Sequence, residues 1–331
     1  RSISFRNFYS AGIHTNHGLY ATLYSFPAMM KRNLMKGSVI PRYSGLPTVL
    51  KENGYYNLFF MTHEGQYDNM NAFFRTNGYD EVFSQENYPA DKVVNSFGVQ
   101  DDFLYDYAIP VLNQRAATGE PFFATLLSIS NHPPYVIPPF FHPKTSEPET
   151  QIVEYADWAL RKFFEEARKQ PWFDNTIFVL EGDHGKLVGD AECELPESYN
   201  HIPLMIYSSR IHPEEKNTFG GQVDIQPTIL GLLNIDYLQN NFGVDLLKEE
   251  RPCMFYTADN MIVGRNDTLL YLYNYETQQE FTYHIDNGKL KAVPMDDRFL
   301  PLKEYSFSML QSAEFLVKHG KTVNSVPFTQ Q

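Results

Sequence analysis

Strand-like and helix-like segments alternate along roughly the first 250 residues of this chain. Two strand candidates, residues 122–129 and 176–180, are almost continuously apolar. That composition is typical of strands buried on both faces of a parallel sheet. Residues 150–169 instead carry apolar side chains at helical spacing. The alternation predicts an α/β fold, with a mostly parallel sheet and helices on both of its faces.

The pattern changes near residue 252. Short apolar runs separated by Asn, Asp and Gly fill residues 253–292, and a helical pattern follows over residues 305–319. Such runs predict antiparallel hairpins. We therefore predict two domains, a core over residues 1–250 and a small C-terminal antiparallel β subdomain with a final helix over residues 251–331.

Charge and composition narrow the functional classes. The net charge is −13 and no Lys/Arg-rich cluster is present, which argues against nucleic acid as a partner. No apolar run approaches the roughly 20 residues of a membrane span. Cys193 and Cys253 lack zinc-finger or CxxC spacing and leave the redox compartment open. The chain starts inside a strand candidate without a signal peptide, so we expect a fragment of a longer protein.

Thr15 occupies the turn between a strand candidate and a helix candidate. The strand pattern covers residues 2–9, Gly12 breaks it, and Leu19 and Leu23 then recur at helical spacing. Backbone N–H groups at the start of a helix stabilise an anion, and open α/β sheets bind ligands at this edge. Capping the helix is the simpler role for such a threonine, and both interpretations stay open.

A carboxylate and an imidazole follow the strand candidate 176–180, in the sequence Gly182-Asp183-His184-Gly185. With glycines that allow a sharp turn, the two side chains suit a divalent metal ion. An Asp-His turn without an ion is the alternative. Coordination of the Thr15 hydroxyl to such an ion would lower its pKa and make it a nucleophile toward a phosphoryl or sulfuryl group.

Two more histidines directly follow strand candidates, His63 after residues 56–62 and His132 after residues 122–129. Parallel strands end at one edge of a sheet, so we expect these side chains to converge there. They are placed to contact the transferred group or to protonate the leaving oxygen. Asp68 and Asn69 are either polar substrate contacts or N-caps of the next helix.

Together these stretches resemble the alkaline phosphatase/sulfatase superfamily and, within it, the lipoteichoic-acid-synthase-like phosphoglycerol transferases. The matching stretches, which occur in the order of the family, are residues 8–18, 62–63, 67–70, 77–79, 130–135, 182–185 and 223–229.

The resemblance implies roles for individual residues. Thr15 would be the nucleophile that takes up the phosphoryl group, and Asp183 and His184 would be metal ligands. His132 would contact the phosphate, and His63 would line the substrate pocket. The implied cofactor is one divalent cation, with Mn²⁺ first and Mg²⁺ or Zn²⁺ as alternatives.

The same resemblance implies a phospholipid head group or a glycan as substrate. It also implies an extracytoplasmic location, in the periplasm or at the cell surface, with a membrane anchor through an N-terminal segment. Two other functions stay open: a sulfatase-like or phosphodiester hydrolase, and a metal-free binding domain.

The sequence departs from the family in three places. The family's first strand carries a metal-binding Glu that would precede Arg1, so we expect a truncated chain with weaker metal binding and an unpaired sheet edge. A Trp and an Arg of the lipoteichoic acid synthases correspond to Asp68 and Met70, which weakens glycerol phosphate as the natural group. Neither Cys193 nor Cys253 lies in the Cys/Ser-x-Pro-x-Arg motif of sulfatases, so sulfate esters are the less expected substrate.

Overall fold

The computed structural model describes residues 1–37 and 39–324. The α-helices are, in chain order, α1 (Thr15–Tyr24), α2 (Leu46–Glu52), α3 (Met70–Thr76), α4 (Asp101–Ala116), α5 (Pro148–Ala167), α6 (Ile225–Leu233) and α7 (Leu300–Lys318). The strands are β1 (Ser2–Tyr9), β2 (Tyr56–Met61), β3 (Glu81–Phe83), β4 (Val93–Asn95), β5 (Gly98–Val99), β6 (Phe122–Leu127), β7 (Phe178–Glu181), β8 (Leu204–Tyr207), β9 (Glu214–Gly221), β10 (Met254–Thr257), β11 (Met261–Arg265), β12 (Leu269–Asn274), β13 (Gln279–Asp286) and β14 (Lys289–Ala292).

The chain divides into two compact units. The first combines Arg1–Leu46 with the described residues from Ile177 onward, and the second is Pro47–Thr176. This division differs from a boundary at residue 250, which stays a prediction. Residues 325–331 of the predicted C-terminal domain lie outside the described residues.

A four-stranded sheet in the first unit has the order β7-β8-β1-β9. β1 runs parallel to β9, whereas β8 is antiparallel to both β1 and β7. Along β1, Ile3 and Phe5 are buried while their neighbours are more exposed, as the period of two requires. Tyr9 pairs with Gly221, so β1 and β9 end at the same edge of the sheet.

The second unit contains a three-stranded sheet, β3-β2-β6, in which both pairings are parallel. α3 returns the chain from β2 to β3, and Phe59 of β2 stacks on Phe74 of α3 with ring centroids 4.2 Å apart. The predicted α/β class is confirmed. β8 is the strand of the four-stranded sheet that departs from the expected parallel pattern.

The C-terminal segment forms the predicted antiparallel sheet, β10 to β14 in sequential order, followed by the predicted helix α7. Gly264 of β11 lies directly against α7, because a Cβ there would overlap the backbone oxygen of Leu302 and the hydroxyl of Ser306. Within residues 1–37 and 39–324, no helix is long and apolar enough to cross a membrane.

The prediction that residues 122–129 and 176–180 are buried on both faces is wrong. Each of β6 and β7 is an edge strand of its own sheet. Only Leu127 of β6 is buried, and every residue of β7 is half-buried. Their apolar side chains are therefore covered less than the composition indicated.

Candidate active site

Thr15 is the first residue of α1, and the residue before it, His14, holds the N-cap position in an extended conformation. His14 makes no side-chain capping bond, and no acidic residue lies in the first turn. Its carbonyl oxygen accepts from the backbone N–H groups of His17 and Gly18 at 2.9 and 3.2 Å. The first turn of α1 thus supplies no carboxylate of its own at the positive end of the helix dipole, where half-buried Thr15 lies.

Asp183 and His184 follow β7 in the same unit. The Nδ1 of His184 donates to the Gly185 carbonyl oxygen at 2.8 Å, which leaves Nε2 as the nitrogen with a free lone pair. This Nε2 lies 3.5 Å from Oδ2 of Asp183. Two donors that bind one ion at about 2.0–2.2 Å lie at a comparable separation, so the pair fits a divalent cation.

The start of α1 packs against the backbone of Asp183. A Cβ at Gly18 would overlap the carbonyl oxygen of Asp183, so only glycine permits this approach of helix and loop. Gly18 lies one turn after Thr15, so Thr15 belongs to the helical turn that faces the loop of Asp183.

His17 lies beneath the turn and is buried, with its ring edge-on to that of His14 at a centroid distance of 5.0 Å. Burial, and next the neighbouring His14, lower the pKa of His17 to about 4, so the ring is neutral at pH 7. Among the described residues, neither ring nitrogen has a hydrogen-bond partner of normal geometry, and the Arg32 backbone acts to raise the pKa of the ring. A Cβ at Gly12 would overlap this ring, which explains the glycine in the turn.

The C-terminal sheet also contributes to the surroundings of Thr15. Asp259, between β10 and β11, accepts a hydrogen bond from Nε2 of His14 at 2.6 Å. Both side chains are about half exposed. Sequence analysis did not predict this contact, because 245 residues separate its partners.

Glu181 at the end of β7 is a second carboxylate close to Asp183. Its Oε1 accepts from the Thr22 hydroxyl at 2.5 Å, and its Oε2 is buried without a hydrogen-bond partner in the described chain. Burial raises the pKa of Glu181 to about 8, and the charge of Asp183 also acts in that direction.

His63 follows β2 in the second unit and is buried. Its Nδ1 donates to the Glu64 carbonyl oxygen at 3.1 Å, and its ring lies 4.7 Å from that of Tyr67. Burial lowers the pKa of His63, while the nearby carboxylates of Asp68 and Glu86 act in the opposite direction. A neutral imidazole is therefore favoured at pH 7.

Asp68 and Asn69 both have positive φ angles, 50° and 62°. Asn69 occupies the N-cap position of α3, but it makes no side-chain capping bond. Two consecutive left-handed residues are uncommon, and Asp and Asn tolerate that conformation better than most residue types. The strained pair directs the loop after His63.

His132 lies in the loop after β6, where its Nδ1 donates to the Pro133 carbonyl oxygen at 2.6 Å and its ring is 4.2 Å from that of Phe97. Buried Asp101 fixes the start of this loop, because its Oδ1 accepts from the backbone N–H groups of Ile129 and Ser130 at 2.9 and 3.0 Å. Asp101 was not predicted as a site residue, because its only signal in the sequence is an acidic side chain in the first turn of a helix.

The segment β4–β5 touches both histidine-bearing loops of the second unit. Phe97 packs on the ring of His132, and the Val99 N–H donates to the Thr62 carbonyl oxygen at 3.2 Å, one residue before His63. Gly98 allows the close approach, because a Cβ there would overlap that same carbonyl oxygen.

The predicted site residues fall into two groups. Thr15, Asp183 and His184 belong to the first unit; His63, Asp68, Asn69 and His132 belong to the second. Among the described residues, no group of three or more His, Cys, Asp or Glu side chains could hold a metal ion. Asp183 and His184 would supply two protein donors, and the hydroxyl of Thr15 is the third candidate.

Residues 1–235 match the Sulfatase family. Lipoteichoic acid synthase 1 of Bacillus subtilis (strain 168) is 26% identical over 274 residues, which cover 76% of this chain and 41% of that protein. The lipoteichoic acid synthase of Staphylococcus saprophyticus is 25% identical over 235 residues, covering 63% of this chain and 35% of that protein. The chain thus spans 41% or less of the length of these relatives.

Two solved structures are similar over nearly the whole chain. A protein in the alkaline phosphatase superfamily from Vibrio parahaemolyticus has a TM-score of 0.88 at 26% identity, over 98% of this chain and 80% of that one. The lipoteichoic acid synthase LtaP from Listeria monocytogenes has a TM-score of 0.82 at 21% identity, over 96% and 84%. With most of its length matched, this chain belongs to the sulfatase family of the alkaline phosphatase superfamily, and it is homologous to the lipoteichoic acid synthases.

Proposed function

We propose that this chain is the catalytic domain of a metal-dependent phosphoryl-group transferase that acts on a lipid or glycan phosphodiester. One observation carries the proposal: the first turn of α1, which begins at Thr15, packs through Gly18 against the loop of Asp183 and His184. One packed region of the first unit thus contains the Thr15 hydroxyl, the positive end of α1 and the two candidate metal ligands Asp183 and His184. Homology to lipoteichoic acid synthases supports group transfer.

Thr15 is the nucleophile in this proposal. The Thr15 hydroxyl loses its proton as its oxygen attacks the phosphorus of the phosphodiester, the bond from phosphorus to the leaving oxygen breaks, and the leaving oxygen takes up a proton. An acceptor hydroxyl then attacks the phosphorus of the phosphothreonine and loses its proton, and the released Thr15 oxygen takes up a proton. The N-terminus of α1 stabilises negative charge on the phosphoryl oxygens throughout.

Asp183, His184 and the Thr15 oxygen would hold the divalent cation, with Mn²⁺ as first candidate and Mg²⁺ or Zn²⁺ as alternatives. When bound, such a cation lowers the pKa of the threonine hydroxyl and offsets charge on the phosphoryl group. The 3.5 Å separation between Nε2 of His184 and Oδ2 of Asp183 supports this role.

His132 is the proposed phosphate contact, and His63, Asp68 and Asn69 are the proposed substrate-binding residues. The family resemblance supports these roles. Phe97 and Asp101 hold the ring and the loop of His132, which favours a fixed contact over a mobile one.

A phospholipid head group is the first candidate donor, and phosphoglycerol the first candidate group. Asp68 and Met70 replace the Trp and Arg expected for glycerol phosphate, so another polar head group or a glycan is the alternative. An extracytoplasmic location with a membrane anchor completes the proposal, again on the family resemblance.

Replacement of Thr15 by Ala tests the mechanism. We expect turnover of phosphatidylglycerol and of artificial phosphodiesters to fall by at least about 10³-fold, because no other group forms the covalent intermediate. Bound Mn²⁺ should largely persist on Asp183 and His184. Intact-protein mass spectrometry of the wild type, quenched during turnover, should show a phosphorylated Thr15.

Thr150→Ala is the matched control, since Thr150 lies in the first turn of another helix, α5, and should leave turnover unchanged. Retained activity in Thr15→Ala would refute the nucleophile assignment. Product analysis with and without added acceptor alcohols separates transfer from hydrolysis, and parallel sulfate esters test the sulfatase-like alternative.

A further inference from the structure

Gln222 is a fully buried amide at the edge where β1 and β9 end together. It directly follows Gly221, which pairs with Tyr9 at the last position of both strands. The side chain is therefore placed beside the turn that leads from β1 to Thr15. Gln222 was not predicted as a site residue, because a single Gln carries no signal of its own in the sequence.

The side chain of Gln222 bridges two loops of the candidate site. Its Oε1 accepts from the backbone N–H of Ala11 at 2.8 Å, in the turn before Thr15. Its Nε2 donates to the carbonyl oxygens of Gly182 and Asp183 at 3.1 and 2.8 Å. The amide oxygen of Gln222 thus binds one loop, and its amide nitrogen binds the other.

The helix α1, which follows the turn of Ala11, lies in direct contact with the loop of Asp183. A Cβ at Gly18 would overlap the Asp183 carbonyl oxygen and would lie 3.0 Å from Nε2 of Gln222. The helix that begins at Thr15, the backbone of Asp183 and the amide of Gln222 therefore meet at one point. The amide of Gln222 bonds to both segments and thereby fixes the distance between the turn of Ala11 and the loop of Asp183.

A second buried residue, Asn200, supports the same turn from another segment. Its backbone oxygen accepts from the Ser10 N–H at 2.8 Å, and its Nδ2 lies 3.3 Å from the carbonyl oxygen of Gly12. The neighbouring Tyr199 oxygen accepts from the Gly185 N–H at 2.8 Å. The turn before Thr15 thus keeps these bonds when Gln222 is replaced, and a Gln222 variant is expected to fold.

We propose that Gln222 is a positioning residue. It holds the turn before Thr15 against the loop of Asp183 and His184, so that the Thr15 hydroxyl and the Asp183–His184 pair bind the same ion. This inference rests on the proposed function. Gln222 does not touch the ion or the substrate in this view; it acts through the backbone of Ala11 and Asp183. Residues that orient metal ligands in this way typically change metal affinity by about 10–100-fold when they are replaced.

Gln222→Met tests the inference, because it keeps the length of the side chain and removes both the donor and the acceptor. Gln222→Asn is a milder second variant, one methylene too short to bridge the loops. We expect the Kd for Mn²⁺, measured by calorimetry and by electron paramagnetic resonance of free Mn²⁺, to rise about 10–100-fold in Gln222→Met. Its kcat should fall while the KM for the phosphodiester stays near the wild-type value.

Asn57→Ala is the matched control. Asn57 is also a fully buried amide that donates to two carbonyl oxygens, those of Pro47 and Gly78, at 2.6 and 2.8 Å. It lies at the start of β2, at the opposite end from His63. The Asn57→Ala substitution should lower the melting temperature of the protein but leave its Kd for Mn²⁺ unchanged.

Two results would overturn the inference while the proposed function stands. One is an unchanged Kd and kcat in both Gln222 variants, and the other is an equal loss of Mn²⁺ affinity in Asn57→Ala. A wild-type protein that binds no Mn²⁺ would instead remove the proposed function, and this inference with it.

Discussion

Arg251 and Asp224 form a buried ion pair that ties the C-terminal half of the first unit to the edge of the candidate site. Their side chains are 7% and 0% exposed. The Nε of Arg251 lies 2.9 and 2.8 Å from the two carboxylate oxygens of Asp224, and Nη2 lies 2.5 Å from Oδ1. The guanidinium also donates to the Tyr305 hydroxyl at 2.7 Å and to the Phe242 carbonyl oxygen at 2.6 Å.

Replacement of Arg251 by Met should destabilise the protein by about 3–5 kcal/mol, because it leaves the charge of Asp224 buried without its counter-ion. Two remaining backbone bonds to Asp224, from Gly221 and Val244 at 2.9 Å each, offset part of that cost. Burial lowers the pKa of Arg251, but the charge of Asp224 more than compensates and leaves it raised. The guanidinium of Arg251 is therefore charged at every practical pH. A loss of this size is a large fraction of the roughly 5–15 kcal/mol that stabilises a typical domain.

Urea unfolding at pH 7, followed by circular dichroism and tryptophan fluorescence, measures the loss. The double variant Asp224→Asn/Arg251→Met should cost less than the sum of its single changes, since no unpaired charge is left in the interior. If circular dichroism and fluorescence report the same unfolding transition, the data can be analysed with a two-state model.

Arg298→Met is the matched control, because Arg298 makes a similar two-pronged contact with Asp296 on the surface, where the side chains are 59% and 41% exposed. Solvent screens such a pair, so we expect no measurable change. If Arg251→Met unfolded at the same urea concentration as Arg298→Met, the reasoning from burial would be refuted.

Two further variants test the loops around the candidate site. Asp101→Ala should cost about 2–4 kcal/mol, because it leaves the backbone N–H groups of Ile129 and Ser130 without an acceptor, and it should also lower kcat/KM. Asp101→Asn keeps an acceptor oxygen and should stay near wild type in both urea unfolding and activity. Glu181→Gln should flatten the pH dependence of stability between about pH 4.5 and 8, because burial raises the folded-state pKa of Glu181 from 4.5 to about 8. The contribution of this group is fully present below pH 4.5 and is lost as the pH rises through the window, so the variant should be the more stable protein at pH 8, by at most about 5 kcal/mol. Thermal melts of both proteins from pH 5 to 9 measure this, and parallel curves would contradict it.

Much of the local structure was predictable from periodicity. The strand ending at Tyr9, the helix that starts at Thr15 and the C-terminal hairpins follow from patterns of two and 3.6 residues that each segment carries by itself. The pairing of strands did not follow. β8 enters the first sheet antiparallel to both neighbours, and β6 and β7 lie at sheet edges although their composition favoured full burial.

The sequence alone determined which residue types stand at the ends of strands: the hydroxyl of Thr15, the Asp183–His184 pair and the two histidines 63 and 132. Only the tertiary structure decided what holds them. Gln222 reaches Ala11 across 211 residues of chain, and Asp259 reaches His14 across 245. The physical reason is that periodicity records which face of a segment is buried. A buried amide or carboxylate is instead selected by the backbone groups that the fold brings to it, and no local pattern records those.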